Sequence, residues 1–122
     1  MKRILVADDD RHVLSLISEI LSRSDYLVEQ AVDGEQALRM ALEDRPDLIV
    51  LDVMMPGLDG LEVCRRLKSH SETSRIKIIM VTAKCGPKDV EAGLAAGADD
   101  YMTKPFRLAE LVYKIEKLLE GK

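Results

Sequence analysis

The chain alternates short, wholly apolar runs with longer stretches in which apolar residues recur every three or four positions. Ile4-Leu5-Val6-Ala7 is a continuous apolar run, the pattern of a strand covered on both faces. After it, Val13, Leu14, Ile17, Ile20 and Leu21 share one face of a helix. A second strand is predicted over Tyr26–Val32, then a helix with Ala37, Leu38, Ala41 and Leu42 inward and Pro46 beyond its end. Leu48-Ile49-Val50-Leu51 is the clearest strand pattern, and Leu61, Cys64 and Leu67 mark the third helix. Ile76–Val81, ending at Thr82, reads as strand four. Val90 and Leu94 are the predicted inward positions of helix four, and Ala98–Met102 is a short fifth strand. Leu108, Leu111, Val112, Ile115, Leu118 and Leu119 form an amphipathic fifth helix that ends near Gly121.

The residues between these elements agree with them. Asp10 suits the N-cap of helix one, and Asp33 with Gln36 and Asp59 with Glu62 have capping-box spacing. Met54-Met55-Pro56-Gly57 is a turn, Gly86-Pro87 suits a helix start and Gly97 a helix end. Buried strands alternating with helices call for a parallel sheet with helices on both faces and right-handed crossovers. No linker, low-complexity tract or sequence repeat interrupts the pattern, so residues 1–122 are expected to form one domain. The fifth helix reaches the last residues, leaving no room within the 122 for an output domain.

Composition narrows the possibilities. With 47% apolar residues the chain can build a core, which excludes wholesale disorder. A formal charge of −4 and no basic stripe argue against direct nucleic-acid binding. The absence of Trp and a single Phe leave an aliphatic core and no aromatic platform for bases. No apolar run is long enough to span a bilayer, and the N-terminus meets Asp8-Asp9-Asp10 too early for a signal peptide. Two cysteines, Cys64 and Cys85, are too few for a disulfide framework and are expected to be reduced thiols, Cys85 an ordinary loop thiol. Together these features point to a cytoplasmic protein with no membrane contact.

Chemistry-bearing residues follow the strands. In open parallel sheets ligands bind outside the carboxyl ends of the strands. Strand one runs into Asp8-Asp9-Asp10, strand three into Asp52, strand four into Thr82 and strand five into Thr103-Lys104-Pro105. Asp8, Asp9 and Asp52 would set three negative charges against Lys104 alone, and crowded carboxylates either rise in pKa or recruit a cation. A hard divalent ion fits such oxygen ligands, and Mg²⁺ fits best where a phosphate joins it. No His or Cys is placed to favour zinc or copper; His12 and His70 are expected to face solvent.

This constellation strongly resembles the receiver domain of two-component response regulators. The matching stretches are Ile4 to Asp10, Leu51-Asp52-Val53-Met54-Met55-Pro56-Gly57-Leu58-Asp59-Gly60, Val81-Thr82-Ala83, and Gly97 through Phe106 with Asp99-Asp100-Tyr101 and Thr103-Lys104-Pro105. Four motifs in this order at these strand ends are highly specific, and no chemistry-bearing position departs from the pattern.

The resemblance implies a flavodoxin-like, doubly wound five-stranded sheet in the order 2-1-3-4-5, flanked by five helices. It implies phosphorylation of Asp52, with Asp9, Asp52 and the backbone carbonyl of Met54 ligating Mg²⁺ (or Mn²⁺ in its place) and Asp8 acting through water. Lys104 would contact the phosphoryl oxygens, Thr82 would donate its hydroxyl to them, and Lys104-Pro105 would be a cis peptide. The implied donor is a phosphohistidine on a sensor histidine kinase or phosphotransfer protein, with acetyl phosphate and phosphoramidates as substitutes. The protein would then be a phosphoacceptor rather than an enzyme acting on another substrate. Movement of Thr82 would let Tyr101 rotate inward and remodel the face built by helix four, strand five and helix five. That face would meet an effector, an output domain or a second copy in a phosphorylation-dependent dimer. Met54 and Lys84, two residues after Asp52 and Thr82, would tune the phosphoryl lifetime; apolar Met54 cannot position a water, so self-dephosphorylation is expected to be slow.

Other classes fit less well. A phosphatase of the haloacid-dehalogenase type wants a second Asp two residues after the first, where Met54 stands, and a cap domain. A binding-only receiver fold would lack Asp52, Lys104 or the acidic pair. A nucleotide-binding flavodoxin relative would carry a glycine-rich phosphate loop after strand one, where three aspartates would instead repel a phosphate unless a cation intervened.

Overall fold

The computed structural model describes residues 1–84 and 86–120, so the expectation for Cys85 lies outside the described residues. Five strands alternate with five helices: β1 (Arg3–Ala7), α1 (Arg11–Arg23), β2 (Leu27–Ala31), α2 (Gly34–Asp44), β3 (Leu48–Leu51), α3 (Gly60–Ser69), β4 (Lys77–Thr82), α4 (Pro87–Ala95), β5 (Asp100–Thr103) and α5 (Leu108–Glu120). The strands form one parallel sheet in the order β2-β1-β3-β4-β5. This is the flavodoxin-like order that the resemblance implies, and the parallel sheet that the alternation of elements predicts.

Each strand sends alternate residues to opposite faces, which divides the core in two. Ile4, Val6, Leu48, Val50, Ile79 and Val81 pack with Leu14, Ile17 and Leu21 of α1 and Leu111 and Ile115 of α5. Leu5, Ala7, Ile49, Leu51, Ile78 and Met80 pack with Ala37 and Ala41 of α2 and Val63, Cys64 and Leu67 of α3. A strand covered on both faces needs no polar alternation, which is why β3 is buried at all four positions.

Three N-caps are as expected. Asp10 accepts from the N–H groups of His12 and Val13, Asp33 from Gln36 N–H and Asp59 from Glu62 N–H. Neither predicted capping box closes in full. The Gln36 side chain accepts from Val32 N–H, one residue before the cap, and Glu62 turns outward to Arg65 and Arg66.

Strand ends differ from the periodicity in consistent ways. β2 is an edge strand that pairs only with the five residues of β1, so Tyr26 and Val32 lie outside the ladder. Ile76 N–H bonds back to Thr73 in a turn, and β4 starts one residue later. Ala98 N–H is taken by Gly93 C=O at the end of α4, so β5 begins at Asp100. The inward face of α4 is also corrected: Leu94 is 50% exposed, while Gly93 and the C-cap Ala96 are buried.

Candidate functional site

The register of the sheet brings the polar strand ends together. Ala7 pairs with Leu51, so Asp8 and Asp52 each stand one residue beyond adjacent strands. Asp52 N–H bonds to Ala7 C=O at 3.0 Å, holding that extension in place. Thr82 pairs with Thr103, and Lys104 N–H then bonds to Thr82 C=O at 2.9 Å. The Lys104-Pro105 peptide is cis.

Side chains converge accordingly. Lys104 Nζ donates to Asp8 Oδ2 at 2.7 Å and to Asp52 Oδ2 at 2.9 Å. The other oxygen of each carboxylate takes a backbone N–H, from Asp10 for Asp8 and from Met54 for Asp52. Asp8 and Asp52 are buried, whereas Asp9 is exposed at the mouth. One oxygen from each of the three aspartates lies within 4.8 Å of the others.

The electrostatics follow from this crowding. Burial pushes the Asp8 carboxyl above its ordinary pKa, and the charge of Asp52 adds to the rise, although Lys104 and Asp10 N–H pull it back. Burial opposes the charge on Lys104 as well, but its bonds to both carboxylates outweigh that and its pKa is raised. Three carboxylates against one ammonium leave a surplus of negative charge on a partly dry surface. Hard oxygen donors with no sulfur or imidazole among them match Mg²⁺.

Each of the remaining expected residues has a definite place. Thr82 is buried, and its Oγ1 accepts from Lys84 N–H at 3.3 Å. Tyr101 is half-buried, its ring against the core and its hydroxyl donating to Lys84 C=O at 2.7 Å. Met54 is 50% exposed beside an open groove of about 490 Å³ whose other walls include Asp9, Leu61 and Lys84. Thus Asp8, Asp9, Asp52 and Lys104 form one cluster, Met54 and Lys84 stand at the rim, and Thr82 and Tyr101 are joined through the backbone of Lys84. His12 and His70 are exposed, as expected.

Two residues escaped the sequence reading. Gly60, the first residue of α3, lies on the backbone of Asp52: a Cβ there would run into the Asp52 carbonyl oxygen and stand 2.9 Å from Val53 Cα. Its signal was the glycine directly after the N-cap Asp59. Lys68, on α3, bonds Ile76 C=O at 2.7 Å, Ser74 C=O at 3.3 Å and Asp99 Oδ2 at 3.1 Å, and Asp99 Oδ2 also accepts from Ile78 N–H. This ties α3 to the starts of β4 and β5. A lysine near the end of an amphipathic helix carries no such signal in sequence.

The model of the response regulator receiver domain matches residues 4–116. Response regulator MprA of Mycobacterium ulcerans is 52% identical over 117 residues, 96% of this chain and 50% of that protein. The chain therefore spans about half the length of the curated relatives it matches. Among solved structures, the receiver domain of Francisella response regulator 1452 aligns with a TM-score of 0.91 and 32% identity, covering 98% of both chains. The receiver domain of sensor histidine kinase PA1611 from Pseudomonas aeruginosa PAO1, with a magnesium ion coordinated in its active site cleft, aligns with a TM-score of 0.91 and 33% identity, again covering 98% of both.

Proposed function

The chain belongs to the response regulator receiver domain family of two-component signalling, and from that premise we propose that it accepts a phosphoryl group on Asp52. The observation that carries this reading is the cluster itself: a buried carboxylate, held by Met54 N–H and Lys104 Nζ, beside two further carboxylates. The donor is a phosphohistidine on a sensor histidine kinase or phosphotransfer protein, with small phosphodonors such as acetyl phosphate able to replace it.

Asp9 and Asp52, with the Met54 carbonyl, would hold Mg²⁺, and Asp8 would act through water; the three-carboxylate donor set fits that ion. When bound, Mg²⁺ supplies positive charge against the phosphoryl oxygens and offsets the repulsion among the carboxylates. The chain's own residues supply the rest. Met54 N–H fixes one oxygen of Asp52, which orients the other toward Lys104 and the incoming phosphorus. Asp52 attacks, the P–N bond of the donor breaks, its electron pair leaves with the imidazole, and an acyl phosphate forms. Lys104, released from Asp52 Oδ2, transfers its hydrogen bond to a phosphoryl oxygen. Catalysis here is positioning and charge stabilisation.

Thr82 carries the signal onward. When its hydroxyl turns to the phosphoryl group, its bond to Lys84 N–H is given up, and Lys84 C=O holds the Tyr101 hydroxyl. Phosphorylation thereby biases the face made by α4, β5 and α5, where an effector, an output domain or a second copy docks. Met54 and Lys84 at the rim set access of water to the acyl phosphate, and its hydrolysis is slow. The test is intact mass after incubation with acetyl phosphate and Mg²⁺. One phosphoryl increment on the parent is expected, with none on Asp52→Asn and none in EDTA; an increment on Asp52→Asn contradicts the assignment.

A further inference from the structure

The backbone of Lys84 is tied on one side to Thr82 and on the other to Tyr101, but those bonds do not explain where the Tyr101 ring can go. Its position depends on α4. A Cβ built on Gly93 would stand 2.6 Å from Tyr101 Cε2, 2.8 Å from Cδ2 and 3.0 Å from Met80 Sδ. The ring thus occupies the space that any other residue at 93 would fill. Gly93 is buried within α4, two residues before the helix ends at Ala95. Glycine inside a helix is disfavoured for its backbone entropy, so this one works against the helix that contains it. The apolar periodicity of α4 is weak for the same reason, with Leu94 exposed and its inward neighbour carrying no side chain.

We infer that Gly93 is a positioning residue for the switch, forming on α4 the seat that the Tyr101 ring occupies and through which Asp52 communicates with the α4–β5–α5 face. The inference rests on the phosphorylation reading above and extends it to α4. A methyl group at 93 fills the seat. The ring is the side-chain part displaced by such a methyl group, and its displacement breaks the bond from its hydroxyl to Lys84 C=O. The α4–β5–α5 face then stays in its unseated arrangement whatever the state of Asp52.

The experiment uses the full chain as four proteins: parent, Gly93→Ala, Tyr101→Ala and the double variant. Urea midpoints are measured first. Introducing alanine at 93 lowers the midpoint when Tyr101 is present and raises it when Tyr101 is alanine, because the flexible end of Met80 can then give way into the vacated space and the helix preference decides the sign. The same sign in both backgrounds overturns the inference. Should Gly93→Ala alone not fold, recovery of the fold in the double variant supports the seat, and failure to recover overturns it. Parent and Gly93→Ala are then treated with acetyl phosphate and Mg²⁺, with occupancy read by intact mass and the Tyr101 ring by ¹³C chemical shifts. Both proteins gain one phosphoryl group; the Tyr101 signals move on phosphorylation in the parent and are already displaced and unresponsive in Gly93→Ala. A parent-like response in Gly93→Ala overturns the inference. A parent that gains no phosphoryl group overturns the phosphorylation reading instead, and the sign of the urea shifts still decides the seat.

Discussion

Replacing Lys104 by methionine removes one ammonium and keeps most of the aliphatic stem. In the parent its Nζ makes charge-assisted hydrogen bonds of 2.7 and 2.9 Å to carboxylates whose side chains are 4% and 6% exposed. One such bond contributes roughly 1.5–3 kcal/mol. The two share a single donor, and Lys104 is itself 21% exposed and regains hydration on unfolding, so they do not simply add. The expected loss is about 2–3 kcal/mol at neutral pH without divalent ions, a large part of the ~5–15 kcal/mol typical of a domain. Urea denaturation followed by far-UV circular dichroism measures it. The decisive arm repeats the titration in saturating MgCl₂. If three carboxylates crowd a cation site, Mg²⁺ restores the missing positive charge and the difference between Lys104→Met and parent shrinks. A difference that is equally large with and without Mg²⁺ would refute the reasoning, since Lys104 would then be packing rather than compensating charge.

Gly60→Ala forces a methyl group into the Asp52 carbonyl, and no flexible side chain stands there to yield, so a loss of more than about 3 kcal/mol is expected, together with slower phosphorylation by acetyl phosphate. Lys68→Met removes the bonds to Ile76, Ser74 and Asp99 and should lower stability by roughly 2 kcal/mol in urea, while leaving phosphoryl occupancy of Asp52 unchanged. Burial pushes the Cys64 thiol up to about 11. A folded pKa above the unfolded one means this stabilisation is complete below the unfolded thiol value and is lost as pH rises through about 11. The parent should therefore lose up to ~2–3 kcal/mol more than Cys64→Ala between pH 8 and 11.5 in pH-stepped urea titrations; parallel curves would count against it.

The two-sided core made the fold legible, because β1, β3 and β4 are continuous apolar runs and α1 and α5 are regular stripes. The acidic cluster was legible for a related reason: Asp8, Asp52, Thr82 and Lys104 each directly follow or end a strand, and parallel register alone carries them to one edge. What pattern could not supply was contact between elements distant in sequence. Lys68 reads as a solvated helix lysine until the starts of β4 and β5 arrive beside it. Leu94 carries an apolar signal yet points outward, since the inward place on α4 belongs to a residue with no side chain. The capping boxes failed at their reciprocal half because Glu62 found two arginines one turn away and Gln36 found Val32 N–H. Strand ends shifted where a neighbouring turn or helix end claimed an N–H that the periodicity had assigned to the ladder.

The central claim is that the phosphoryl group resides on the Asp52 carboxylate as an acyl phosphate. Borohydride reduction tests it most directly, because it converts an aspartyl phosphate to homoserine and leaves an unmodified aspartate alone. The chain is phosphorylated with acetyl phosphate and Mg²⁺, reduced, digested and mapped by mass spectrometry. The account predicts homoserine at position 52 in the parent, none when EDTA replaces Mg²⁺ during phosphorylation and none at Asp8 or Asp9. Homoserine at another aspartate, or a phosphoryl adduct that resists borohydride, would contradict it.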